Sequence, residues 1–276
     1  MCAYDRILLR FSITGFRMLS ATPIRGFTDN YIWLLESFSS RSVALVDPGD
    51  GQAALDHLRK HNLFLDAVLI THHHRDHVGG NELLKQAFPE VTIYGPASEN
   101  IPAMDVALKD GDEVGLTEMG ATLKVMDVPG HTAGHIAYLV EDKLFCSDTL
   151  FCGGCGRVFD DTFEDLAASL RRIATLPDDT GIYCAHEYTL DNLGFAQWVE
   201  PDNEAIKRRV EDCHIDQDAD IPTVPSGLHE ELATNPFLRT GDPVVIAAAE
   251  KWAGRKLDNP TEVFTALRQW KDQDYD

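Results

Sequence analysis

The segment from Thr71 to Gly80, Thr-His-His-His-Arg-Asp-His-Val-Gly-Gly, constrains this chain more than any other. It brings His72, His74, Asp76 and His77, four side chains able to bind metal ions, into six consecutive residues. An ordinary loop has no use for that density, whereas a loop wrapping an ion does. The apolar run before it, Asp66 to Ile70, reads as a buried strand that delivers the cluster to its C-terminal end. Sheets flanked by helices place their chemistry at such ends.

The spacing argues for more than one ion. His72 and His74 suit a loop around a metal, but the adjacent Asp76 and His77 do not readily converge with them on one centre. Three further loops follow predicted strands and carry ligand-type residues: Val128 to His131, Phe145 to Asp148, and Tyr183 to His186. With His131, Asp148 and His186 added to the first four, the set is large enough for two ions sharing one bridging group. The other histidines, His57, His61, His73, His135, His214 and His229, fall outside it. His73 is expected to support its loop, His135 to support a ligand, and Arg75 to face solvent.

At 276 residues with 44% hydrophobic content, the chain is globular and long enough for one large domain, or for one such domain with a smaller appendage. No apolar run approaches the roughly 18 to 20 residues that would span a bilayer. A balance of 24 Lys plus Arg against 45 Asp plus Glu gives a formal charge of −21, which repels nucleic acid. An anionic substrate therefore needs a local cluster of cations. Six cysteines lie without disulfide-framework spacing, which points to a reducing cytoplasm, and a monomer is expected. Cys152-Gly-Gly-Cys155 reads as a glycine turn rather than a zinc ribbon or redox pair.

Residues 1–17 read as an extension before a natural start at Met18, a misassigned start in preference to a targeting peptide. From Thr28 two strands follow, the second closing on Asp47-Pro48-Gly49. Helices are expected at Gln52 to His61, Asn81 to Phe88 and Phe163 to Leu176. Strands are expected at 91–95, 122–128, 135–148 in two pieces, and 181–185. The alternation predicts two sheets face to face with helices outside, in an α/β class. Past Tyr188 the apolar spacing becomes helical, with no evident strand. This gives a catalytic domain over 18–189 and a helical domain over 190–276.

The chain resembles the metallo-β-lactamase superfamily, whose His-x-His-x-Asp-His signature stands here as His72, His74, Asp76 and His77. The closer resemblance is to glyoxalase II, the hydroxyacylglutathione hydrolases. It is carried by DNYIW, THHHRDHVGGN, PGHTAGH, SDTLF followed by GCGR, AHEYTLDN, NPFLR and LRQWKDQ. The resemblance implies a four-layer αββα sandwich with a C-terminal helical domain. It implies that His72, His74 and His131 hold a first divalent metal, that Asp76, His77 and His186 hold a second, and that Asp148 bridges them. Zinc is the leading candidate, with iron or manganese compatible with the same ligands. Asp76 and Asp148 are the carboxylates on which catalysis would depend.

The implied substrate is a glutathione thioester, chiefly S-D-lactoylglutathione, cleaved to glutathione and D-lactate. Its contacts would come from Arg157, Phe159, Tyr188, Arg268 and Lys271; Arg268 and Lys271, three apart, share a face if helical. One departure stands out: Asp160-Asp161-Thr162 replaces the usual Glu-Gly-Thr, adding an acid near the anion pocket and bringing its effect on substrate affinity into question. The rival reading is a glutathione persulfide dioxygenase on the same fold, with a single iron.

Overall fold

The computed structural model describes residues 19–38 and 40–275; the extension at 1–17 lies outside them. A first sheet has the order β1 (Leu19–Gly26), β2 (Asn30–Ser37), β3 (Ser42–Val46), β4 (Phe64–Leu69), β5 (Thr92–Pro96) and β6 (Val106–Leu108). Its first three strands are antiparallel and its last four parallel, with α1 (Gly51–His61) and then α2 (Arg75–Val78) and α3 (Asn81–Ala87) in the crossovers. The second sheet is built from β7 (Glu113–Leu116), β8 (Ala121–Asp127), β9 (Ile136–Val140), β10 (Lys143–Phe145), β13 (Gly181–Tyr183) and β14 (Ser226–Gly227). Between β10 and β13 lie a small hairpin, β11 (Leu150–Phe151) and β12 (Gly154–Cys155), and the helix α4 (Phe163–Ile173).

Strand β2 shows why the sheets stack. Tyr31, Trp33 and Leu35 enter the core between the sheets, while Ile32 and Leu34 enter the core beneath α1 and α3. A period of two with both sets apolar is what a strand covered on both faces requires. Trp33 locks the sheets together: its ring meets Phe145 and Tyr183 edge-on at 6.5 and 4.8 Å, and its indole N–H donates to the Cys184 carbonyl at 2.8 Å. The outer face of the second sheet is covered by α4, whose Leu166, Leu170 and Ile173 recur at helical spacing. Thr162 caps α4 by accepting from the Asp165 amide, a cap worth about 1 kcal/mol.

After β13 come α5 (Thr189–Val199), α6 (Glu204–Asp218), α7 (Leu228–Thr234), α8 (Pro243–Ala253) and α9 (Pro260–Trp270), then one π-helical turn over Lys271–Tyr275. Of these, α5, α7, α8 and α9 share an apolar core with α4 and the second sheet, through Phe195, Leu228, Val245, Phe264 and Leu267, while α6 packs on α5 through Ile206 and Cys213. Six strands are absent from the sequence reading: β1, β6, β7, β11, β12 and β14. β1 is irregularly buried and contains Pro23, so it offers no clean alternation. β14 is two residues long, yet it places an edge strand within the otherwise helical region. No helix among the described residues is long and apolar enough to cross a membrane.

Candidate metal centre and substrate pocket

The four loops that carry metal-capable residues meet beyond the ends of β4, β8, β10 and β13. Besides Asp47, His72 and His77, two groups of these loop residues have donor atoms within 4.8 Å of one another: His72, His74, His131 and Asp148, and Asp76, His77 and His186. Asp148 lies between them. Its Oδ2 is 3.4 Å from both His131 Nε2 and His77 Nε2 and 3.9 Å from His72 Nε2, and its Oδ1 is 3.5 Å from His186 Nε2. The one-turn helix α2 carries Asp76 and His77, with His74 at its N-cap, and the rings of His72 and His77 lie 4.1 Å apart.

The opposite nitrogens of these rings are held by the protein. His72 Nδ1 lies 3.0 Å from Thr71 Oγ1, His77 Nδ1 3.2 Å from Asp47 Oδ2, His131 Nδ1 2.8 Å from the Arg157 carbonyl, and His186 Nδ1 2.7 Å from Asp29 Oδ1. Asn30 donates to Asp76 Oδ2 at 3.0 Å. Such contacts leave each Nε2 aimed inward, the arrangement that metal-binding histidines adopt. The inward atoms His72 Nε2, His77 Nε2 and Asp148 Oδ1 are buried and make no hydrogen bond, a state that folded proteins avoid unless something else satisfies it. Buried imidazoles and carboxylates without partners fit a pair of divalent cations. The donor types suit zinc, iron or manganese alike.

Electrostatics divide the cluster. Burial lowers the pKa of His72, His74 and His131, leaving neutral imidazoles ready to bind a cation. Burial pushes His77 the same way, but Asp148, Asp47 and Asp76 overcome it and raise His77 well above its usual range. Burial would raise Asp148; His77 and His186 outweigh it and hold the carboxyl well below its usual range. In the absence of a cation, a proton on His77 balances the carboxylates.

Beside the cluster opens a cavity of about 520 Å³ lined by Arg157, Phe159, Tyr188, Arg268 and Lys271, among others. Phe159 is 64% exposed and stands edge-on to His74 and His131, at 5.3 Å from each. Tyr188 stacks on His186 at 4.8 Å. The cations are arranged less openly than expected. Arg268 is 1% exposed, because its face of α9 turns into the core with Phe264 and Leu267. Its guanidinium donates to the Cys155 carbonyl and to Asp272, both at 2.9 Å. Asp272 Oδ1 is also 3.6 Å from Arg157 Nε, and Lys271 Nζ is 3.5 Å from Asp191 Oδ2. Asp161 is not among the residues lining the cavity; its carboxyl is raised by desolvation and by neighbouring Asp165.

Two family models cover the chain: one for the metallo-beta-lactamase superfamily over residues 25–186 and one for the hydroxyacylglutathione hydrolase C-terminus over residues 187–274. The hydroxyacylglutathione hydrolase of Alkalilimnicola ehrlichii is 50% identical over 256 residues, covering 93% of this chain and all (100%) of that protein. That of Nitrosomonas europaea is 46% identical over 254 residues, covering 92% of this chain and 96% of the relative. This chain belongs to the hydroxyacylglutathione hydrolase family. Among solved structures, ETHE1 from Myxococcus xanthus aligns with a TM-score of 0.60 at 22% identity, over 91% of this chain and 96% of that one, a likeness of fold.

Arg75 is exposed, and His73 leaves the cluster for Glu99 at 2.9 Å. His135 is buried and stacks on His72 at 4.6 Å, supporting its ring. Sequence reasoning passed over Asp47, which it took only as part of a turn. Its Oδ1 accepts from the Thr71 amide at 2.8 Å, and its Oδ2 accepts from the Thr71 and Ser147 hydroxyls, each at 2.7 Å, while also facing His77. Gly49, two residues on, lets the turn touch the motif: a Cβ there would lie 1.6 Å from the Asp76 carbonyl oxygen. Asp29 and Asn30 were likewise quoted as part of DNYIW without a role. An acid after an apolar strand, followed by Pro-Gly, was the available signal for Asp47.

Proposed function

We propose that the protein hydrolyses S-(2-hydroxyacyl)glutathione thioesters, chiefly S-D-lactoylglutathione, to glutathione and a 2-hydroxy acid. The observation that carries this is Asp148, whose carboxylate reaches histidines of both groups at 3.4–3.9 Å while its Oδ1 lacks a hydrogen bond. In this reading His72, His74 and His131 hold one divalent ion, Asp76, His77 and His186 a second, and Asp148 bridges them, with zinc the leading candidate. Two such ions supply a water-derived nucleophile near neutral pH and polarise the thioester carbonyl.

The chain's own residues do the rest. Ser147 is committed to Asp47, and burial pushes the Cys155 thiol up to about 11, so neither is a competent side-chain nucleophile at neutral pH. Water must attack. Phe159 and Tyr188 flank the cluster and restrict bulk solvent, while Arg157 and Lys271 face the cavity where the two glutathione carboxylates would lie. Arg268 lines the same wall from behind. Buried Cys146, Cys152, Cys155 and Cys184, all thiols, support a reducing, cytoplasmic setting.

The test is metal analysis of purified protein combined with a thioester hydrolysis assay. Two ions per chain and turnover of S-D-lactoylglutathione are expected. A single iron, oxygen consumption and no hydrolysis would transfer the chain to the persulfide dioxygenase reading.

A further inference from the structure

Neither the cluster nor the cationic wall accounts for the Asn-Pro-Phe-Leu-Arg run that starts at Asn235, or for the wholly buried Glu231. Both reach the β11–β12 hairpin between Asp148 and Arg157. Each residue from Phe151 to Cys155 has a main-chain group held by a side chain from the helices. Asn235 Nδ2 donates to the carbonyls of Phe151 (3.3 Å) and Gly154 (2.9 Å). Asn192 donates to the Cys152 carbonyl at 3.2 Å, the Gly153 amide donates to Glu231 Oε2 at 2.8 Å, and Arg268 donates to the Cys155 carbonyl at 2.9 Å. An isolated two-stranded hairpin is marginal at best, so these grips hold its shape. They are themselves locked, since Asn235 Nδ2 lies 3.0 Å from Glu231 Oε2, and Glu231 Oε1 takes the Ser226 hydroxyl and the buried Arg209 guanidinium. A buried, interlinked polar network of this kind favours one geometry.

The hairpin touches both halves of the cluster. Phe151 meets His186 edge-on at 5.8 Å. At the other end, a Cβ on Gly156 would lie 2.0 Å from the Asp148 carbonyl oxygen and 2.9 Å from His131 Nδ1, and the Arg157 carbonyl fixes that same nitrogen at 2.8 Å. A shift of the hairpin would therefore turn His131, move Asp148 and swing Arg157 together.

We propose that Asn235, backed by Glu231, is a positioning residue: it clamps the 151–155 hairpin and through it sets the geometry of His131, Asp148 and Arg157. Only the kinetic half of this inference rests on the hydrolase reading; metal binding tests it separately. Asn235→Asp keeps the Oδ1 that accepts from the Phe237 amide at 3.1 Å, but turns the donor into an acceptor facing two carbonyls and Glu231. Asn203→Ala is the control: Asn203 caps α6 through the Ala205 amide and contacts no part of the hairpin.

Zinc affinity, measured by chelator competition, should fall at least about tenfold in Asn235→Asp, with KM raised and kcat lowered. Asn203→Ala should lose Tm and keep the affinity. An Asn235→Asp protein that folds and binds zinc within about twofold of wild type, or that loses no more affinity than an equally destabilised Asn203→Ala, overturns the proposal. Should Asn235→Asp fail to fold, hydrogen exchange on metal-free wild type decides: the Gly153 amide should be protected like the core strands, and free exchange there overturns the clamp. Absence of thioesterase activity in wild type would sink the hydrolase reading and leave these results standing.

Discussion

The histidine–aspartate cluster and the cationic wall share one cavity, yet they are built on opposite plans. In the cluster, the buried His72 Nε2, His77 Nε2 and Asp148 Oδ1 have no hydrogen bond, and carboxylates sit among imidazoles that burial would keep neutral. In the wall, each cation already has a carboxylate: Asp272 for Arg268 and Arg157, Asp191 for Lys271. The cluster presents unbonded donors that fit cations; the wall is internally compensated and can only exchange one anion for another. Changes in the cluster should therefore be severe and read out in metal content. Changes in the wall should be moderate and read out in KM.

The largest effect is expected from Asp148→Ala, which removes the group common to both halves. Metal content should fall below two ions per chain, and turnover should drop by at least about a thousandfold, the rate equivalent of several kcal/mol. A variant that retains both ions and wild-type turnover would break the comparison at its strongest point. Next is Asp47→Asn, which weakens the support of His77, Thr71 and Ser147 together and should reduce metal affinity by about 10- to 100-fold. A pH measurement sharpens the same side. Because His77 is raised by Asp148, Asp47 and Asp76 over the opposing effect of burial, it carries a proton in the metal-free protein at neutral pH. Metal binding must displace that proton, so calorimetry in buffers of different ionisation enthalpy should show proton release, and affinity should weaken as pH falls.

The contrast also explains what could be read from the sequence. All seven cluster residues follow apolar runs that fold as strands, so local pattern placed them at strand ends, and the two-sheet architecture followed from the same alternation. The partners that aim them were hidden, because they act over long separations: Asp29 on His186, Asp47 on Ser147, Asn235 on Gly154. Arg268 and Lys271 could be seen to share a helical face, but whether that face pointed to solvent or to the core depended on how α9 packs on α4. The structure turns it inward.

On the wall, Arg157→Ala and Lys271→Ala should each raise KM for S-D-lactoylglutathione by about tenfold with kcat nearly unchanged, the pattern of lost uniform binding. A fall in kcat with constant KM would show that the wall acts on the reacting atoms instead. Raising ionic strength should weaken substrate binding to wild type through the exposed Arg157 and leave metal content intact.

The smallest effect is expected at Asp161, the acid that stands where a glycine was anticipated. Asp161 is not among the described residues with positive φ, so its backbone does not need a glycine there. Its carboxyl does not line the cavity. Asp161→Gly should therefore change KM by less than about twofold, whereas its stability should respond through two opposing effects. A new glycine costs about 0.4–1 kcal/mol through the unfolded chain. Against that, desolvation and Asp165 raise the pKa of Asp161 in the folded state, so its ionised form is unfavourable and wild type loses stability as pH rises through that raised value. The substitution removes this penalty. The Tm deficit of Asp161→Gly should thus be larger at acid pH, where wild-type Asp161 is protonated, than at pH 7. A large KM change would instead bring Asp161 into contact with the substrate and place an acid on the wall that the geometry keeps off it.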